Sequence, residues 1–146
     1  KWKKILKKLL IMQSEKMKLL MLHAKHFLYK PHIDSTDATK SDKITYAIVA
    51  FIHVEKNDIN RDEIIDKAVG NLRWLAKKNE TDKIVLHSFA HLSNSKSDPE
   101  TANKIIQRIG EKLKKNFIVH IVPFGQFYEF SIHVLGPSLA KVFKEL

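Results

Sequence analysis

The chain has 146 residues, enough for one domain with an ordinary core, and its 44% apolar and 29% charged residues exclude a disordered or fibrous protein. Lysine interrupts every apolar run before the roughly 20 residues that a membrane helix needs, so we expect no membrane partner. Cysteine is absent, which excludes disulfides and thiolate metal sites and fits a cytoplasmic protein, while the net charge of +10 favours a polyanionic partner.

Half of the net charge lies in residues 1–16, which carry six lysines and one glutamate. Apolar residues recur at helical spacing between these lysines, which predicts a basic amphipathic helix. The apolar positions are Trp2, Ile5, Leu6, Leu9 and Leu10. Adhesion to an anionic membrane surface or to a nucleic-acid backbone stays open for this segment. We favour the simpler interpretation, an extension outside the domain, and begin the domain, residues 17–146, at Met17.

The first half of the domain alternates apolar and polar stretches. The apolar run 17–23 predicts a first strand, and the polar stretch from Ala24 to Asp42 predicts loop or edge structure. Residues 44–55 are rich in β-branched and aromatic side chains, which predicts a long, largely buried strand. Apolar residues at helical spacing predict a helix over 64–75, and residues 83–89 predict the next strand.

The second half begins with a helix start, because Asp98 followed by Pro99 is typical of an N-cap with proline at the first helical position. Two strands, 117–122 and 127–135, follow this helix and are joined by a Pro-Phe-Gly-Gln turn. A last short helix is predicted from residue 136, with Leu139, Val142 and Phe143 facing inward. The order of elements predicts a mixed α/β fold, in which three helices pack against a mixed β-sheet.

The sequence lacks the familiar catalytic signatures, including the P-loop and the G-x-S-x-G nucleophile elbow. His87 and His91 are four residues apart, but on a strand this spacing separates their side chains by about 13 Å. No Asp or Glu lies between Ser88 and Ser97, so no metal site is predicted. We expect His87 to face solvent or a neighbouring side chain, and the scattered histidines, among them His53, to be ordinary surface or core residues.

Two stretches follow predicted strand ends and combine an aromatic residue, a small residue and polar neighbours: Phe89 to Ser93 and Pro123 to Phe127. With the strand end Ala50 to Lys56 and a first strand ending in His23, they resemble the amino-terminal editing domain of archaeal threonyl-tRNA synthetases. The resemblance covers about residues 17–146. It implies a fold related to D-aminoacyl-tRNA deacylase, hydrolysis of serine wrongly esterified to tRNA(Thr), and no cofactor.

The resemblance also implies a pocket that holds the seryl group and the terminal adenosine largely through main-chain groups. The matching positions here are Val54, Ala90, His91, Pro123, Phe124 and Gly125. Small residues let the backbone approach a ligand closely, and Phe124 or Phe127 would stack against the adenine. For these aromatic residues, core packing is an equally weighted alternative.

The sequence departs from the family's pattern at two charged positions. The family has a lysine soon after the Pro-Phe-Gly turn, where this chain has Gln126, Phe127 and Tyr128. The family's last segment supplies a glutamate where this chain has Lys141. We therefore predict that His91 orients substrate or water, with Tyr128 and Lys141 as candidates for catalytic polar contacts.

The sequence leaves three functions open. The first is seryl-tRNA hydrolysis aided by main-chain groups and by the 2′-hydroxyl of the tRNA. The second is a catalytically inactive tRNA-binding or structural domain, and the third is a deacylase for another ester, such as a D-aminoacyl-tRNA. The partners implied are tRNA(Thr) with a mischarged aminoacyl end, the catalytic part of a threonyl-tRNA synthetase, and a second copy in a homodimer.

Overall fold

A computed structural model describes residues 1–14, 16–32 and 42–146, with residues 10–14 and 42 described by their backbone alone. This part of the chain contains three α-helices, two short 3-10 helices and six strands. In chain order the elements are α1 (Trp2–Ser14), β1 (Lys18–Pro31), β2 (Asp42–His53), a 3-10 helix (Lys56–Asn60), α2 (Ile64–Lys78), β3 (Lys83–Ser88), α3 (Pro99–Leu113), β4 (Ile118–Ile121), β5 (Tyr128–Val134), a 3-10 helix (Ser138–Ala140) and β6 (Lys141–Glu145).

The six strands form one mixed sheet in the order β4-β3-β2-β1-β5, with β6 also paired to β1. β2, β3 and β4 run parallel, and α2 and α3 provide the crossovers that parallel neighbours require. The pairs that β1 makes with β2, β5 and β6 are antiparallel. The predicted mixed α/β class is therefore confirmed. The predicted start of α3 is also confirmed, since the Thr101 amide donates to Asp98 Oδ2 at 3.0 Å.

The first strand is longer than its apolar run predicted. β1 continues to Pro31, so the prediction of loop or edge structure from Ala24 was wrong up to that residue. Polar residues alternate here with buried Phe27 and Tyr29, because successive side chains of a strand point to opposite faces. This half of β1 pairs with β2 on one side and with β5 on the other. Residues 33–41 of the predicted loop lie outside the described residues.

The chain's last segment was also predicted incorrectly. Only residues 138–140 form a short 3-10 helix, and the following residues form β6, in which Phe143 pairs with Leu20 of β1. Leu139 and Phe143 are exposed rather than inward, while Val142 packs against the core. A five-residue segment is too short for periodicity to distinguish helix from strand, so the tertiary pairing with β1 decides its structure.

Apolar residues pack on both faces of the sheet. On β2, Ile48, Ala50 and Ile52 face α2 and α3. The alternate residues Ala47, Val49 and Phe51 belong to a second cluster on the opposite face. The strand's near-continuous apolar sequence follows from this burial on both sides.

Curvature of the sheet covers the second cluster. The Tyr29 hydroxyl on β1 lies 2.5 Å from His120 Nε2 on β4, although β2 and β3 stand between these strands. In a flat sheet, strands in these positions would be roughly 14 Å apart. The sheet therefore curls over this face, and β5 lies across it, with the Phe130 ring 5.3 Å from the Phe51 ring. β4 and β5, predicted as consecutive strands, stand at opposite ends of the strand order.

α1 forms where the basic amphipathic helix was predicted. Trp2 is 76% exposed, and Ile5, Leu6 and Leu9 are about half exposed, so the apolar side of this helix faces solvent. Among the described residues, no helix has both the length and the apolar character needed to cross a bilayer.

Candidate active site

The carboxyl ends of β2, β3 and β4 meet at one edge of the sheet because these strands are parallel. A cavity of about 280 Å³ lies there, between residues 87–91, which end and follow β3, and residues 122–128, which follow β4. Pro99 at the start of α3 and Phe130 on β5 complete its lining. The structure thus brings together the two stretches that the sequence placed at strand ends. The predicted site residues in this lining are Ala90, His91, Pro123, Phe124, Gly125, Phe127 and Tyr128.

A second cavity of about 180 Å³ adjoins the first. The two share Ser88, Ala90, Pro99 and Phe124 in their linings. Val54, which directly follows β2, lines the second cavity, so this predicted residue lies beside the main cavity rather than in it. Its carbonyl accepts a hydrogen bond from the Ser97 amide at 2.8 Å.

Buried His53 fastens the loop that carries His91. The Leu92 amide donates to His53 Nδ1 at 3.2 Å, which places the imidazole proton on Nε2. Nε2 lies 2.7 Å from the Ser95 carbonyl oxygen and 3.0 Å from Glu55 Oε1, and both can accept its proton. His53 is thus a core residue, as expected, but the expectation did not include its contact with this loop. The signal in the sequence was a histidine and a glutamate two residues apart at the end of a buried strand.

His91 and Phe127 present exposed rings at the cavity. The His91 imidazole meets the Phe89 ring edge-on, with centroids 5.0 Å apart. Phe127 is 84% exposed, and this exposure excludes core packing as the explanation for its aromatic ring. Gly125 in the same wall has a φ of +92°, a conformation that residues with a side chain rarely adopt, so the turn's shape depends on glycine.

Tyr128 lies at the start of β5 with its hydroxyl directed back to the turn. The hydroxyl donates to the Pro123 carbonyl oxygen at 2.8 Å. Burial raises the pKa of Tyr128, so the phenol stays protonated and acts as a hydrogen-bond donor. The ring stands edge-on to Tyr29 and to His87, with centroids 5.3 and 5.9 Å away.

Lys141 is not among the residues that line either cavity. Its ammonium group donates to the carbonyl oxygens of Leu135 and Gly136, at 2.9 and 3.2 Å. The structure therefore places Lys141 where it stabilises the turn between β5 and β6, apart from His91 and Tyr128.

His87 lines the cavity although sequence reasoning assigned it no function. It is 9% exposed and packs among aromatic rings of the second cluster, including that of Phe51 at 5.5 Å. Its position opposite Phe51 in the parallel pair of β2 and β3 directs it to this face. Among the described residues of the lining, the two histidines are therefore the titratable bases, and none of these residues is a lysine, arginine, aspartate or glutamate.

The described lining thus offers hydrogen-bonding groups to a ligand. Two imidazoles, the Ser88 and Tyr128 hydroxyls, the Gln126 amide and main-chain groups can donate or accept hydrogen bonds. The described part of the chain holds no group of three or more His, Asp or Glu side chains placed to bind a metal ion.

A family model for the archaea-specific editing domain of threonyl-tRNA synthetase matches residues 17–146. The chain belongs to this family. Similar curated proteins are the threonine–tRNA ligases of Methanosphaera stadtmanae, 36% identical over 134 residues, and of Thermofilum pendens, 29% identical over 133 residues. Each match covers 86% of this chain and 22% of the ligase, so the chain spans about a fifth of the length of these relatives.

All residues of the two cavities lie within the part that matches the editing-domain family. α1 lies outside that match. The resemblance identified from the strand ends, the loop around His91 and the Pro-Phe-Gly turn is therefore confirmed at the level of the family.

Proposed function

We propose that this editing domain hydrolyses the ester bond of serine wrongly attached to tRNA(Thr). One observation carries the proposal: in a chain of this family, the loop with His91 and the turn with Gly125 form the walls of one cavity. A cavity of about 280 Å³ with an adjoining one of about 180 Å³ suits a small aminoacyl group. The exposed Phe127 ring at its edge provides a stacking surface for the terminal adenine.

The physical need for such a site follows from the similarity of serine and threonine. The two differ by one methyl group, and a missing methyl changes binding by only about 1–3 kcal/mol. A synthetic site for threonine therefore accepts some serine. A second, hydrolytic site raises fidelity beyond this limit.

Water adds to the ester carbonyl, and the bond to the tRNA oxygen then breaks. The products are serine and a tRNA with a free 3′-terminal hydroxyl. Because the described residues that line the main cavity include no lysine, arginine, aspartate or glutamate, we assign stabilisation of the developing oxyanion to main-chain amides and other hydrogen-bond donors. His91, exposed on the loop, orients substrate or water. The Tyr128 phenol, whose proton is donated to the Pro123 carbonyl oxygen, offers its oxygen as a second polar contact that accepts a hydrogen bond. The family resemblance adds the 2′-hydroxyl of the tRNA as a participant.

We further propose that the domain acts in the cytoplasm, as part of a threonine–tRNA ligase and as a homodimer. The curated relatives, in which the matched part is 22% of a ligase, support the association with a synthetase. The homodimer rests on the family resemblance alone. For residues 1–16 we propose an extension outside the editing domain, which the start of the family match at Met17 supports.

The test is deacylation of Ser-tRNA(Thr) by the wild-type protein, His91→Ala and Tyr128→Phe. We expect the wild type to accelerate hydrolysis and each variant to lose roughly 10-fold, the effect of one hydrogen bond. Lys141→Ala tests the catalytic contact that the sequence predicted for Lys141. Because its ammonium group is bound to two carbonyl oxygens, we expect that variant to keep the wild-type rate. If the wild type acts on D-aminoacyl-tRNA but not on Ser-tRNA(Thr), the proposed substrate is wrong.

A tRNA-binding domain without chemistry is the second candidate. It is favoured by the net charge of +10 and by the described lining of the main cavity, in which no lysine, arginine, aspartate or glutamate occurs. Such a domain would bind tRNA with an affinity that falls steeply with salt, yet leave the ester intact. Filter binding of uncharged tRNA(Thr) at two salt concentrations, combined with the deacylation assay, separates the two functions.

A further inference from the structure

Helix α1 lies outside the editing-domain match and lines neither cavity of the candidate site. Every side chain of residues 1–9 is exposed. Among the described residues, none of these nine belongs to either hydrophobic cluster of the sheet. Their lysines form no ion pair within the described part of the chain. The surface of this helix therefore faces solvent.

Apolar and charged side chains lie on opposite sides of residues 1–9. At about 100° per residue, the four apolar side chains fall within an arc of about 100°, and the five lysines fill an arc of about 160° on the other side. The apolar residues are Trp2, Ile5, Leu6 and Leu9, and the lysines are Lys1, Lys3, Lys4, Lys7 and Lys8. No acidic residue occurs in residues 1–14. This part of the helix is thus apolar along one side and cationic along the other.

The apolar side of α1 is open to water over most of its area. Trp2 is 76% exposed, Leu6 is 53% exposed, and Ile5 and Leu9 are each 49% exposed. Single exposed hydrophobic residues are common on protein surfaces, whereas several that adjoin along one stripe mark an interaction surface. α1 therefore presents a surface that suits a partner with both apolar and anionic groups.

An anionic lipid surface fits both sides of this helix. The apolar side chains of such a helix enter the boundary between headgroups and acyl chains, while its lysines remain at the lipid phosphates. Tryptophan is enriched at this boundary, and Trp2 is the most exposed of the four apolar residues. A nucleic-acid backbone would pair with the lysines but leave the apolar side in water. A second copy of the chain would cover the apolar side, but it carries the same net charge of +10 and would bring two rows of lysines together.

We propose that α1 binds the protein peripherally to an anionic membrane surface, with its apolar side in the headgroup region and its lysines at the lipid phosphates. The inference goes beyond the proposed function and does not depend on ester hydrolysis. It replaces the sequence expectation of no membrane partner, which rested on the shortness of the apolar runs. A helix that lies along the surface needs no membrane-spanning length, and α1 with 13 residues is about 20 Å long.

The experiment measures co-sedimentation of the full chain with two kinds of vesicle. One contains phosphatidylcholine and phosphatidylglycerol in equal amounts, and the other contains phosphatidylcholine alone. We expect at least 10-fold tighter binding to the anionic vesicles, because each lysine near such a surface strengthens binding about 5-fold. Lys3→Gln combined with Lys8→Gln should therefore weaken this binding about 20- to 30-fold. Removal of residues 1–16 should abolish it.

A substitution that keeps every charge separates lipid insertion from simple attraction between charges. Leu6→Gln retains the helix propensity of this position and should weaken binding to anionic vesicles about 5- to 10-fold, because a half-exposed apolar side chain no longer enters the lipid. Ile118→Gln, which changes an exposed apolar residue of β4, is the matched control and should bind as the wild type does.

Tryptophan fluorescence reports the same insertion directly. In Trp74→Phe, which replaces an exposed residue of α2, Trp2 is the remaining indole. We expect its emission to shift to shorter wavelength with anionic vesicles and to stay unchanged with phosphatidylcholine alone, because the ring leaves water only when the helix inserts.

Several results would overturn the inference. Equal binding to both kinds of vesicle, wild-type binding by Leu6→Gln, or binding that survives removal of residues 1–16 would each contradict it. Binding to anionic vesicles without a shift in Trp2 emission would show attraction between charges alone, which also contradicts it. If the wild type binds no vesicles but the Lys3→Gln and Lys8→Gln variant loses affinity for tRNA(Thr), the lysines bind nucleic acid and the inference is wrong.

Discussion

Removal of the His53 imidazole tests how the candidate site is held in place. In the folded protein this side chain is completely buried and connects three groups: the Leu92 amide, the Ser95 carbonyl and the Glu55 carboxylate. His53→Ala leaves all three without this partner and opens a cavity at the end of β2. The loop that carries His91 then loses its connection to the sheet through that side chain.

The loss in free energy of unfolding depends on which of these three groups water can reach. Leu92 and Ser95 are half-buried, so a relaxed loop lets solvent satisfy their backbone groups. Glu55 is 1% exposed and stays buried, and an unpaired buried polar group costs about 1–3 kcal/mol, more when it is charged. The cavity that the missing imidazole leaves adds a smaller cost. We therefore expect His53→Ala to lower the free energy of unfolding by about 2–4 kcal/mol.

Urea unfolding followed by circular dichroism measures this loss, and hydrogen exchange locates it. We expect faster exchange at the Leu92 amide and unchanged exchange in the centre of β3. His53→Gln, which keeps an amide donor and acceptor, should lose roughly half as much as His53→Ala. His133→Ala, at an exposed position, should lose less than about 0.5 kcal/mol. A loss below about 1 kcal/mol for His53→Ala would refute the anchoring role.

Three further predictions concern the turn, the pH dependence and the first helix. Gly125→Ala should lower the free energy of unfolding by about 1–2 kcal/mol because of its positive φ, whereas Gly136→Ala, which has open space around it, should be nearly neutral in the same urea titration. Since burial lowers the pKa of His87 below 6.5, the unfolded chain binds protons more readily, and the free energy of unfolding should fall as the pH drops below that value. His87→Phe should make this fall shallower in unfolding titrations across the acid range, and an unchanged slope would contradict the assignment. Removal of residues 1–16 should leave the melting temperature and the deacylation rate unchanged, while a large loss of tRNA affinity at low salt would make α1 a phosphate-binding arm.

The helices and the parallel strands were predictable because their signals are local. Asp98 and Pro99 mark the start of α3 through capping and a fixed φ, and the apolar run of β2 reflects burial on both faces. The second half of β1 was missed because its polar residues and Pro31 are typical of loop or edge structure, although Phe27 and Tyr29 between them are buried. Its partners, β2 and β5, lie far away in the sequence, and local composition does not reveal such pairing.

The segments that form the candidate site were predictable from the sequence, but the contacts between these segments were not. The loop with His91 and the turn with Gly125 were recognisable because strand ends carry small and polar residues. His87 was missed because its importance depends on rings from β2 and β5 that fold over it. Lys141 was predicted as a catalytic contact from its place in the family's last segment, and in the strand that forms there its ammonium group donates to the carbonyl oxygens of a turn.

We propose that the cavity between the segments that follow β3 and β4 removes serine from tRNA(Thr). The most direct measurement compares the rates at which the protein deacylates Ser-tRNA(Thr) and Thr-tRNA(Thr) with the rates without protein. We predict that the seryl ester is lost well above its spontaneous rate and faster than the threonyl ester. Equal loss of the seryl ester with and without protein, under conditions in which the protein binds tRNA(Thr), would contradict the claim.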